Sequence, residues 1–125
     1  MNKIYNMKKK VYISLPIAIA EDTVYKRYLQ ANCELGVHKE LKDYEIVGPV
    51  NISQFGPDGI KEPRNHNYSW YMGQDIERLL ECDAIYMSRG WCTSKGCNAE
   101  LAVAKVYNIP VYYAEDLKTL NLLNR

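Results

Sequence analysis

Apolar and polar positions change period along this chain in a way that separates strands from helices. Lys10 to Leu15 is a short β-branched and aromatic run that Pro16 stops, the pattern of a buried strand. Beyond it Val24, Tyr28, Ala31 and Leu35 recur at gaps of 4, 3 and 4, one stripe of an amphipathic helix. Asp22 or Thr23 can cap that helix; Gly36 can interrupt it, although the pattern could run on to Leu41. Tyr44 to Val47 reads as a second strand, ended by Gly48-Pro49. Met72, Ile76, Leu79 and Leu80 form the core stripe of another helix, with Ser69 as its cap. Asp83 to Ser88 and Ile109 to Tyr113 read as third and fourth strands. They flank an Ala- and Val-rich helix, Gly96 to Tyr107, which the turn-forming Arg89-Gly90 introduces. Pro49, Pro57, Pro63, Gly48, Gly56 and Gly59 predict a long surface loop reaching about Asn67. Loops of that length serve as lids or binding segments. Asp116 to Leu123 reads as a short C-terminal helix.

This alternation is that of an α/β protein. Right-handed crossovers make a mostly parallel, Rossmann-like (flavodoxin-like) sheet of about four to five strands, with helices on both faces. The whole of residues 1–125 is expected to be one domain. Ligands of such sheets bind outside the carboxyl ends of the strands. The tips to watch are Ser14-Leu15-Pro16, Asn51, Ser88 to Glu100, and the residues after Tyr113.

Composition narrows the function classes. Hydrophobic residues make up 47% and charged residues 25%, ordinary values that exclude a disordered chain. A net charge of +1 lacks the basic field that nucleic-acid polymers or anionic membranes demand, and Lys8-Lys9-Lys10 is a single short run. No apolar stretch approaches the roughly 20 residues of a membrane span, and the N-terminus lacks the apolar core of a secretion signal, so the cytosol is expected. Cys33, Cys82, Cys92 and Cys97 show no metal-site spacing and are expected as reduced thiols; no metal or cofactor is expected. Eleven tyrosines stand against one phenylalanine, which suits pockets and interfaces as well as cores.

The densest chemistry lies between Arg89 and Glu100, a strand-tip loop feeding a helix. First-turn amides attract anions and Gly96 lets backbone approach a ligand, with Thr93 or Ser94 available as cap. The Gly-Lys-Ser/Thr ending of a Walker loop is absent, and so is GxGxxG. The helical period puts Ala99, Ala102, Val103 and Val106 on the buried arc, Asn98 and Lys105 on the wet side, and Glu100 at the margin of the apolar arc. A carboxylate there is paired or functional, because burying an unpaired charge is costly; the alternative is a helix-start Glu placed for the dipole. Asp75 flanks the apolar stripe of the preceding helix and Asp83 opens the third strand; either can be a solvated acid. Two carboxylates meeting in one pocket suit chemistry at an anomeric carbon.

Four features resemble the nucleoside 2-deoxyribosyltransferase-like superfamily. They are Val11-Tyr12-Ile13-Ser14 with Pro16, Asp75 eight residues before Asp83, Asp83-Ala84-Ile85, and the Gly96-x-x-x-Glu100 helix start. The form Trp91-x-x-Ser94-x-Gly96-x-x-x-Glu100-x-x-x-Ala104 is most similar to a short bacterial and phage branch, and the likeness spans roughly residues 10 to 113. The resemblance implies Glu100 as a nucleophile forming a glycosyl ester at C1′, Tyr12 as its positioner and Asp75 as the acid on the base side. The transferases carry an aspartate where this chain has Ser94. A serine there is similar to the 2′-deoxynucleoside 5′-monophosphate N-hydrolases, where it binds phosphate, and a hydroxyl beside helix amides suits an anion that a carboxylate would repel. Ser14, Pro16, Trp91, Gly96 and Asn98 complete the expected substrate-binding set. The family commonly has Gly-Pro where Leu15-Pro16 stands, and members often complete the site from a neighbouring subunit.

The expected activity is therefore cleavage or exchange of the N-glycosidic bond of a nucleoside or nucleoside 5′-monophosphate. The partner is a small molecule rather than nucleic acid or membrane, and a homodimer is the family-based expectation. Two alternatives stand beside it: a nucleotide-binding or sensing module that has lost turnover, and a protein-interaction domain using Tyr68-Ser69-Trp70-Tyr71.

Overall fold

The computed structural model describes residues 8–16, 21–36, 38–49 and 67–114. The expected long loop, apart from its first and last residues, Asn51 and the C-terminal helix lie outside them. Four strands form the sheet: β1 (Lys10–Ser14), β2 (Glu45–Val47), β3 (Ala84–Met87) and β4 (Val111–Tyr113). Their order is β2-β1-β3-β4 and every neighbouring pair is parallel. Parallel neighbours need crossovers, and α1 (Glu21–Leu35), α2 (Tyr68–Leu80) and α3 (Lys95–Val106) lie on them. The expected α/β architecture is thus present, with strands shorter by one to two residues at their ends.

Strand alternation sorts the core into two layers. Val11 and Ile13 of β1 and Ala84 and Tyr86 of β3 face Ala31 and Leu35 of α1 and Leu41 of a 3₁₀ turn. Tyr12, Ile85 and Met87 point the other way, onto Leu79 of α2 and Cys97, Leu101 and Ala104 of α3. Helices therefore cover both faces.

The helical registers differ from the apolar periodicity. On α2 the buried row is Tyr71, Asp75 and Leu79, while Leu80 is 45% exposed and Met72 and Ile76 are half-buried. On α3 the buried positions are Cys97, Glu100, Leu101 and Ala104. Ala99 and Ala102 face solvent and Val106 is 73% exposed. Alanine tolerates a wet helix face because it is chosen there for propensity, so it misleads a hydrophobicity count. Glu100 accordingly sits within the buried face rather than at its margin.

Capping follows the same logic. Asn67, not Ser69, caps α2: its Oδ1 accepts from the Trp70 N–H at 3.0 Å and from the Ser69 hydroxyl at 2.9 Å. Ser94 caps α3, its Oγ accepting from the Cys97 N–H at 3.1 Å. The loop ahead turns at Gly90, whose φ of 84° is left-handed and suits a residue without Cβ.

Candidate active site

The strand order reverses direction at β1 and β3, because the chain leaves β1 toward β2 and returns to β3 on the opposite side. Such a switch point leaves a crevice at the carboxyl ends of the strands. Three elements bring side chains there. Tyr12 and Ser14 stand two apart on β1 and so share a face. Glu100 enters from the second turn of α3, and Asp75 from the buried row of α2.

Tyr12 Oη donates to Glu100 Oε2 at 2.8 Å, and Ser14 Oγ donates to Glu100 Oε1 at 2.6 Å. All three are buried, Glu100 with 4% of its surface exposed and Tyr12 and Ser14 with none. A buried carboxylate without partners would be prohibitive, and two hydroxyl donors, one per oxygen, offset part of that cost. Burial still dominates: it pushes the Glu100 carboxyl up to about 7, against the Ser14 and Tyr12 hydrogen bonds that pull it down, with Asp75 adding a further upward push. The same burial, together with the Glu100 and Asp75 charges, holds the Tyr12 phenol well above its usual range, so its proton stays available to donate.

Asp75 is buried with 4% exposure and acts electrostatically on both Glu100 and Tyr12. Asp83 lies elsewhere: its Oδ2 accepts from the Lys10 N–H at 2.9 Å at the opening end of β1, a structural strand-end contact.

The remaining expected site residues occupy the same end of the sheet with varied duties. Pro16 is buried after the β1 tip. Ser94 Oγ accepts from the Cys97 N–H as the helix cap, and a serine hydroxyl so engaged keeps its proton as a donor. Gly96 sits where an added Cβ would lie 3.4 Å from the Tyr68 hydroxyl, so α3 starts close against α2. Asn98 Nδ2 donates to the Trp91, Cys92 and Ser94 carbonyls at 3.3, 3.2 and 2.8 Å, which makes it a brace of the loop rather than a substrate ligand by that nitrogen. Trp91 is buried against Tyr113, ring centroids 5.5 Å apart, and its Nε1–H has no hydrogen-bond partner among the described residues.

Ser88, which the sequence marks only as the start of a strand-tip segment, carries a contact that sequence reasoning does not give. Its N–H and its Oγ both donate to the Ser14 carbonyl, at 3.1 and 2.7 Å, and clamp the tip of β1 to that of β3. The available signal is its position, one residue past the Met87 that pairs with Ser14. A cavity of about 290 Å³ opens on the α1 side of these tips, lined in part by Leu15, Glu34, Ser88, Arg89 and Gly90. Glu34 bridges its wall, accepting from Arg89 Nε at 2.5 Å and from the Tyr86 hydroxyl at 3.3 Å. Among the described residues no three His, Cys, Asp or Glu side chains converge as metal ligands, and no helix is long and apolar enough to cross a membrane.

A family described as a domain of unknown function, DUF4406, matches residues 9–113, a span that contains every side chain of this constellation. No curated protein and no solved structure matches the chain.

Proposed function

The chain belongs to the DUF4406 family, and on that premise we propose that it cleaves or exchanges the N-glycosidic bond of a nucleoside 5′-monophosphate or nucleoside through Glu100. The observation that carries this reading is a buried carboxylate fixed by two hydroxyls at the ligand-binding edge of a parallel sheet. Its likeness in sequence to the nucleoside 2-deoxyribosyltransferase-like superfamily points the same way.

The chemistry follows from the placement. An ionised Glu100 attacks C1′, and two fixed hydrogen bonds remove the entropic cost of orienting it. Asp75 gives a proton to the departing base, so no metal or redox cofactor is needed to activate that leaving group. The first-turn amides of α3 and the Ser94 hydroxyl form an anion site suited to a 5′-phosphate. The resulting ester is then opened by water or by a second base. In this reading the enzyme works in the cytosol as a homodimer on a small-molecule substrate.

The test is incubation with a panel of ribo- and deoxyribonucleosides and their 5′-monophosphates, with chromatography for free base. Release by the parent and none by Glu100→Ala is the expected result. Equal release by both sinks the assignment.

A second reading is favoured by the Glu100 carboxyl lying near 7. At neutral pH much of it is a neutral acid, a group that can hydrogen-bond a nucleotide without attacking it, as a sensing module requires. Calorimetric binding with no product would establish that reading over the first.

A further inference from the structure

The two hydroxyls on Glu100 come from different points along β1. Ser14 lies two residues beyond Tyr12, so its backbone stands about 7 Å nearer the carboxyl edge. Each hydroxyl takes a different oxygen, Tyr12 holding Oε2 at 2.8 Å and Ser14 holding Oε1 at 2.6 Å. The Ser14 backbone is fixed in turn, since Ser88 donates twice to its carbonyl. Building on the glycosidase reading, we infer that Ser14 is a positioning residue for the attacking oxygen: it holds Oε1, ionised, at the open edge of the sheet, while Tyr12 anchors Oε2 as the spectator.

The bond changes give the two hydroxyls unequal work. An Oε1 electron pair forms the bond to C1′ as the C1′–N bond breaks, and the departing pair goes to the base nitrogen, which takes its proton from Asp75. As an ester oxygen Oε1 is a weak acceptor, so the Ser14 bond fades as the step proceeds. Water then attacks C1′ and gives its proton to the Asp75 carboxylate; the Oε1–C1′ pair returns to Glu100 and the Ser14 bond re-forms. The Tyr12 bond persists throughout.

The groups that act on Glu100 come from two elements. Burial and Asp75 on α2 raise its proton affinity, while Ser14 and Tyr12 on β1 lower it, Ser14 by more. Cys97 on α3 itself bears on Tyr12, and β3 contributes only the apolar Ile85 and Met87 to this layer. Loss of the Ser14 hydroxyl therefore leaves the attacking oxygen protonated at pH values where the parent has it ionised.

The experiment is a pH titration of ¹³C-labelled glutamate carboxyls by NMR, with the Glu100 signal identified by its loss in Glu100→Gln. The parent midpoint is expected at about 7. Ser14→Ala should move it up by about one to two units, the worth of a hydrogen bond to a charged group, and Ser14→Thr should restore it. The acid limb of kcat/KM should move by the same amount, with the loss in kcat and KM changed less than about twofold. A Ser14→Ala midpoint within about 0.2 units of the parent overturns the inference. Should that variant not fold, Ser14→Cys, a weaker donor of similar length, takes its place, and a shift under about half a unit overturns it equally. Failure of the underlying reading looks different: the carboxyl responds to Ser14 but the parent releases no base, which removes the attacking role and leaves a hydrogen bond.

Discussion

Tyr12 and Glu100 are 88 positions apart in the chain, yet the phenol of one lies 2.8 Å from the carboxylate of the other. Their contact joins the middle of the first strand to the last described helix through the interior of the protein. It places a titratable acid with only 4% of its surface exposed in the protein interior, and most of the measurable behaviour of this site follows from that.

The first consequence is a pH profile. On the proposed function, attack on C1′ requires the ionised Glu100, whose carboxyl stands at about 7. In the free enzyme kcat/KM should therefore fall about tenfold per unit as the pH drops below 7. An acid limb near 4.5, the ordinary glutamate value, would mean that Glu100 is not the ionising group.

Stability should carry the opposite slope. Glu100 titrates at about 7 when folded and 4.5 as a model group. Between those values the folded protein holds a proton that the unfolded chain has released, so stability declines as pH rises through that window, by about 3 kcal/mol in all. Glu100→Gln removes the titration. Its melting temperature should exceed that of the parent at pH 8, with the gap closing toward pH 5. Parallel melting curves across that range would contradict the burial argument.

Ser94 allows capping and phosphate binding to be separated. Aspartate is as good an N-cap as serine but adds a negative charge at the start of α3. Ser94→Asp should keep the folding stability within about 0.5 kcal/mol of the parent and lose nucleotide turnover by about a hundredfold or more, while nucleoside turnover changes little. Equal losses on both substrates would move the phosphate elsewhere.

Leu79 offers a check on the packing that seats α2. It has no exposed surface and lies against Tyr12, Ile85 and Leu101 in one apolar layer. Leu79→Ala should cost about 2–5 kcal/mol in chemical denaturation. A smaller cost would show that α2, and Asp75 with it, is less firmly held.

The sheet was legible from sequence because its strands are short apolar runs, Val11 to Ser14 and Ala84 to Met87, set off by turn residues that strand physics predicts. Glu100 and Asp75 were legible as acids next to apolar stripes. Their depth was not, since burial of a carboxylate depends on donors that arrive from β1, far away in sequence. The register of α3 misleads for a related reason: Ala99 and Ala102 look like core, whereas Cys97 and Glu100 fill it. Ser14 reads from sequence only as a member of the substrate-binding set, and the structure turns its hydroxyl onto Glu100. Ser88 has no periodicity to betray it, and only the pairing of the strand tips reveals its clamp on Ser14.

The contact between the first strand and α3 also bears on synthesis. Tyr12 and Ser14 leave the ribosome some 88 and 86 residues ahead of Glu100, an interval of roughly 4 to 18 s at ordinary elongation rates. Throughout it the nascent chain carries both hydroxyls without the Glu100 carboxylate that receives them, so the constellation of β1 and α3 cannot form until α3 has emerged.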